Sequence, residues 1–205
     1  MRSDALSASG PPQAAVKTFR EWSSQQKDSG TAWQLKVELA GLSVVAGNAE
    51  PANALIQEIE GAGNQDWAPV AMGRLGWWYY RAGDAAKAAS LLGRVVERLP
   101  SRSIYQCELG WALIEQRNFE SAITRFSNAS GTSADSSMGL AVAYWLGGDK
   151  DKAVSFYAAA VADHPEWLNA RWVAALYSPH AAESVAAIRV EQEKRLAAYQ
   201  TRQGR

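Results

Sequence analysis

One cysteine, two histidines and no net charge are the chemical resources of this 205-residue chain. Cys107 has no second cysteine for an internal disulfide, so the fold neither requires nor excludes an oxidising compartment. No neighbour in sequence is suited to activate it, and a buried or groove-facing thiol is expected. Structural zinc needs paired Cys or His spacings, which are absent, so no metal is expected. His164 precedes Pro165 and His180 follows Ser178-Pro179, so both read as turn or helix-end residues rather than as bases. Gly147-Gly148-Asp149 is not a phosphate loop, because no strand precedes it and no Gly-Lys-Ser/Thr follows. Glu108 and Glu115 lie seven apart on one helix face, with nothing else converging there, which predicts a solvated or groove-edge role. The expectation is a non-catalytic chain with no cofactor.

Three further absences concern partners and location. With 21 basic against 21 acidic residues, the electrostatic footprint of a nucleic-acid binder is missing. No apolar run approaches the roughly 18 residues of a membrane helix, so no membrane insertion by this segment is expected. The N-terminal MRSDALSASGPP lacks the apolar stretch of a signal peptide, which leans towards the cytoplasm without naming the compartment. The short polar start also fits a chain cut from a longer protein.

What the chain does have is apolar content of 47% and nine tryptophans. Its clearest stretch is Pro69–Arg102, where apolar residues recur at three- and four-residue intervals on both sides of Gly83-Asp84. That pattern predicts a helical hairpin. Gly83 closes the first helix in a left-handed conformation, Asp84 N-caps the second, and Pro100 stops it. The small residues Gly76 and Ala88 let the two helices approach closely. The turn signal recurs at Gly10-Pro11, Gly47-Asn48, Gly83-Asp84, Arg117-Asn118 and Gly148-Asp149, at spacings of 37, 36, 34 and 31 residues. A hairpin repeated at one period buries its apolar face only against its neighbours.

Counted from Pro69, the series Met72, Leu75, Gly76, Tyr79, Ala88, Leu92, Val95 and Pro100 resembles the tetratricopeptide repeat. The resemblance implies an all-α fold, a right-handed superhelical solenoid of such hairpins with a C-terminal capping helix. Residues 1–205 read as one solenoid: a partial degenerate unit at 1–29, repeats at 33–68, 69–102, 103–133 and 134–167, and a trailing helix and capping helix over 168–205. In the trailing part, Glu166–Tyr177 reads as one more first helix. His180–Gln200 reads as the cap, with Val185, Ile188, Leu196 and Tyr199 on one stripe.

In this family the first helix of each unit lines the concave groove. Carried over unit by unit, that places Val70, Trp77, Tyr80 and Arg81 in the groove with Arg74 beside them, then Ile104, Cys107, Trp111, Ile114 and Glu115. Met138, Trp145 and Leu146 follow, and Trp172 in the trailing helix. Trp77 and Trp111 share one position in successive units, which predicts an aromatic ladder. Trp78 lies about 100° round the helix from Trp77 and is expected in the core. The Lys, Asn and Arg that clamp a carboxylate in chaperone-binding members are missing. The resemblance therefore implies a protein or peptide partner presenting an apolar extended segment or amphipathic helix, with Arg74 and Arg81 pairing to an acidic residue. Two alternatives stand beside this reading: a homodimer with the Glu183–Tyr199 helix as plug, and an accessory repeat region of a larger enzyme or secretion or assembly protein.

Overall fold

The computed structural model describes residues 17, 21, 32–62, 65–129, 134–168 and 179–203. Nine α-helices are described: α1 (Ala32–Val45), α2 (Glu50–Gly61), α3 (Trp67–Arg81), α4 (Ala85–Arg98), α5 (Ser103–Glu115), α6 (Phe119–Ala129), α7 (Ala134–Leu146), α8 (Lys150–Asp163) and α9 (Pro179–Gln203). The expected partial unit at 1–29 lies outside the described residues, apart from Lys17 and Glu21. Pro165–Leu168 forms a 3-10 turn where the sequence suggested the start of an α-helix, and the rest of that expected helix lies outside the described residues.

The chain divides into two compact units, Met1–Ser101 and Arg102–Arg205. In the first, α1–α2 and α3–α4 are hairpins, and α3 packs on both α1 and α2. In the second, α5–α6 and α7–α8 are hairpins, α7 packs on both α5 and α6, and α9 lies against α7 and α8.

Each hairpin closes by the same local device. Gly47, Gly83 and Gly148 have φ of 87°, 87° and 92°, and Arg117 takes the equivalent place at 59°. The following amide reaches back five residues: Asn48 to Ser43, Asp84 to Tyr79, Asn118 to Leu113 and Asp149 to Tyr144, at 2.8 to 2.9 Å. This is the Schellman closure, which satisfies carbonyls that a helix end leaves open. The same Asn or Asp then caps the next helix. The Asp84 carboxylate accepts from the Lys87 amide at 2.9 Å, Asn118 from Ser121 at 3.3 Å, and Asp149 from Lys152 at 3.1 Å. Asn48 accepts from the Glu50 amide at 3.0 Å, and Pro51 sits in the first turn of α2.

Small residues set the packing. A Cβ on Gly76 would lie 2.8 Å from Leu92, so only glycine lets α3 and α4 meet there. Phe126 of α6 is fully buried between two glycines. A Cβ on Gly110 of α5 would lie 2.7 Å from its ring, and one on Gly139 of α7 would clash with it outright. Trp78 fills the space left by Gly41 of α1 and is buried, as its helix position predicted. On α4, Ala88, Leu91, Leu92, Val95 and Val96 all bury, each large side chain contributing roughly 1.5–3 kcal/mol.

The capping helix departs from expectation in one respect. Val185 and Ile188 are buried, but Leu196 and Tyr199, placed on the same stripe, are 55% and 62% exposed. The cause is length. At 1.5 Å per residue, the 25 residues of α9 span about 37 Å, while the 14 of α8 span about 21 Å, so the last turns of α9 have no helix to bury against. Where α8 does run alongside, Arg195 bridges to Asp151 at 2.7 Å and to Glu191 at 2.9 Å.

Candidate functional site

The first helices carry the candidate residues, and each unit presents its own set. In the first unit, Trp77 is half-buried and stacks on Tyr80, centroids 5.2 Å apart at 25°. Tyr80 is itself buried, and Arg81 is exposed. Val70, two turns earlier on the same helix, is 40% exposed. Arg74 does not stand waiting for a ligand. Its Nε donates to Glu38 Oε1 at 2.7 Å and its Nη2 to Oε2 at 3.3 Å, a two-point bridge from α3 to α1. Its guanidinium also lies 5.2 Å from the Trp78 ring. A charge held at two points over an aromatic face is positioned by the fold and shares its charge with Glu38.

In the second unit, the expected groove residues separate into two groups. Cys107, Trp111, Ile114 and Met138 are buried. Trp111 is 1% exposed and meets Phe126 edge-on at 5.2 Å and 73°, so its ring belongs to the interior of its unit. Ile104 at 59%, Leu146 at 38% and the half-buried Trp145 face outward, with the Lys150 ammonium 5.3 Å from the Trp145 ring. Trp172 lies outside the described residues. The reason for the split is that the position within a hairpin fixes only which way a side chain points. Burial depends on what packs opposite it, and here α6 and α7 close over α5.

Glu108 and Glu115 are less solvated than their spacing suggested: one carboxylate oxygen of each is shut off from solvent. Burial, with the Glu108 carboxylate as a smaller cause, raises the Tyr105 phenol above its ordinary pKa. Burial likewise raises Tyr79, with Asp84 adding to it, and the Tyr79 hydroxyl donates to Asn53 at 3.2 Å.

Several contacts were not anticipated, although the sequence held a signal for them. Glu38 and Arg74 are 36 residues apart, Arg94 and Glu60 are 34 apart, and both pairs bond at 2.7 Å. Trp33 and Trp67, at the starts of successive first helices, stack at 6.0 Å. Opposite charges or aromatic pairs one repeat apart are what such a search would seek. Among the described residues, no group of three or more His, Cys, Asp or Glu side chains could hold a metal ion. No helix among them is long and apolar enough to cross a membrane.

Comparison with known proteins agrees with this architecture. The tetratricopeptide repeat family model matches residues 74–129 and 107–166. The crystal structure of a tetratricopeptide repeat protein from Parabacteroides merdae ATCC 43184 superposes with a TM-score of 0.59. That match covers 96% of this chain and 73% of the other at 13% identity, a likeness of fold. No curated protein matches the sequence.

Proposed function

We propose that this chain, similar over residues 74–166 to the tetratricopeptide repeat family, is a non-catalytic recognition module that binds an apolar peptide segment or an amphipathic helix, in a scaffold or adaptor role. Repeats of this kind serve in general as protein–protein interaction modules, and that general role is the starting point. The observation that carries the finer reading is the set of apolar and aromatic side chains left open on first helices. Val70 is exposed and Trp77 half-buried on α3, Ile104 is exposed on α5, and Leu146 is exposed and Trp145 half-buried on α7. Exposed large apolar side chains cost solubility unless a partner covers them, and aromatic residues dominate binding hot spots. Arg81 and the Arg74–Glu38 bridge supply polar groups at the edge of the α3 face, which orient a ligand more than they hold it.

The test is selection from a displayed library of apolar and amphipathic-helix peptides, followed by binding to variants of the purified chain. Trp77→Ala with Val70→Glu is expected to weaken first-unit ligands by at least tenfold while helicity stays unchanged. Trp145→Ala with Ile104→Glu does the same for second-unit ligands. No enrichment, or equal binding by the variants, removes the proposal.

A second reading, self-association, is favoured by one observation: Val190, Leu196 and Tyr199 stand exposed on α9. Size-exclusion chromatography with light scattering separates the two, since a dimer lost on Leu196→Glu with Tyr199→Glu supports the second.

A further inference from the structure

Helix α3 is enclosed almost all the way round. α1, α2 and α4 pack against it. Between its end residues Trp67 and Arg81, only Val70, Arg74 and Trp77 escape burial. With the two ends, these residues stand at intervals of three, four, three and four. That spacing places them on one narrow stripe of the helix, the width of a coiled-coil seam rather than of a core-facing face. α5 shows no such seam, since Ser103, Ile104 and Tyr105 escape burial side by side.

The seam is apolar where it is not basic. Val70 is 40% exposed. Trp67 and Trp77 are half-buried, and each ring stacks on a neighbour, Trp33 at 6.0 Å and Tyr80 at 5.2 Å. Arg74 is held by Glu38. Side chains fixed in this way lose little freedom when a partner arrives. Both charged residues of the seam are arginines, so a partner residue facing them is acidic rather than basic.

The period of the seam decides what shape of ligand follows it. Its contacts recur every 3.5 residues on average, about 5.2 Å along the axis at 1.5 Å per residue. A second helix with the same spacing repeats its side chains at the same interval and keeps step from Trp67 to Arg81. An extended segment presents same-face side chains about 6.7 Å apart. Over the four steps of the seam it overshoots by about 6 Å, a whole contact.

We infer that the α3 seam takes an amphipathic helix of a partner protein, lying along α3, and not an extended segment. This inference rests on the recognition role proposed above and chooses between the two ligand shapes left open there. The docked helix sets apolar side chains against Trp67, Val70 and Trp77, with acidic ones towards Arg74 and Arg81.

The test pans the full chain against two displayed peptide libraries, each of the length of α3. One fixes apolar residues at alternating three- and four-residue intervals, and the other at every second residue. Enrichment from the first library is expected, with glutamate or aspartate favoured over lysine beside the apolar positions. The enriched peptides, once synthesised, gain helicity on binding, and a central proline weakens them at least tenfold. Val70→Glu, at an exposed position that leaves the fold intact, weakens them at least tenfold as well. Enrichment from the second library alone, or binding that tolerates the central proline, overturns the helical ligand while the recognition role stands. Helical ligands indifferent to Val70→Glu overturn the seam as their site. No enrichment from either library removes both this inference and the role on which it rests.

Discussion

Replacing Gly139 by alanine tests the packing of the second unit more sharply than any truncation. In an open helix interior, glycine to alanine stabilises by about 0.5–1 kcal/mol, because the unfolded chain loses freedom. At Gly139 the added methyl meets the Phe126 ring. The ring has nowhere to retreat, since Gly110 on the far side is so close that its own Cβ would sit 2.7 Å away. Overpacking of this kind costs about 1–3 kcal/mol, which exceeds the propensity gain and leaves a net loss of about 1–2 kcal/mol. Gly93 is the control: it lies within α4, and a Cβ there meets nothing within 4 Å, so Gly93→Ala is expected to gain about 0.5–1 kcal/mol. Urea unfolding followed by circular dichroism and tryptophan fluorescence reads both changes. Phe126→Leu, destabilising by itself, is expected to relieve Gly139→Ala in a double-mutant cycle, with a coupling of about 1 kcal/mol or more. If Gly139→Ala stabilises as Gly93→Ala does, or if the cycle is additive, the placement of Phe126 between α5 and α7 is wrong.

Three further outcomes follow from the turns. Arg117 is the one non-glycine with positive φ among the described residues, a conformation costing an ordinary residue roughly 1–2 kcal/mol, so Arg117→Gly is expected to raise the urea midpoint. A lowered midpoint refutes the assignment. Asp84→Ala removes the cap from α4 and is expected to cost about 1 kcal/mol by the same assay, with Asp84→Asn nearly neutral. The hydrogen bond from the Lys152 amide, with the Lys152 side chain next, holds the Asp149 carboxyl below its ordinary value of 3.8. Because the folded value is the lower one, this stabilisation is complete above that ordinary value and is lost as pH falls through the folded one. Urea midpoints measured from pH 5 to pH 2.5 should therefore fall more steeply for the wild type than for Asp149→Asn. Parallel curves count against it.

The parts of this fold that could be read from the sequence are those decided locally. A helix end that needs a left-handed residue followed by a capping side chain leaves a two-residue mark, visible as Gly47-Asn48, Gly83-Asp84, Arg117-Asn118 and Gly148-Asp149. The small positions at Gly76 and Ala88 were legible for a similar reason, because close approach permits few residue types. The candidate site was legible only as a set of positions. Trp77 and Trp111 hold equivalent places in their repeats, yet one is half-buried and the other is enclosed against Phe126. Nothing within either helix distinguishes them. The difference lies in the helices packed opposite, whose register a single repeat cannot reveal. Leu196 and Tyr199 teach the same lesson, since their stripe continues past the end of the surface that would bury it.

The shared turn also bears on how quickly the chain finds its structure. Each closure joins groups five residues apart, and each hairpin pairs helices adjacent in the chain. Little loop entropy is spent before a contact rewards it, which places such architectures among the fast folders, in the microsecond to millisecond range. During synthesis each pair of helices can close as soon as its second member emerges, without waiting for the C-terminal cap.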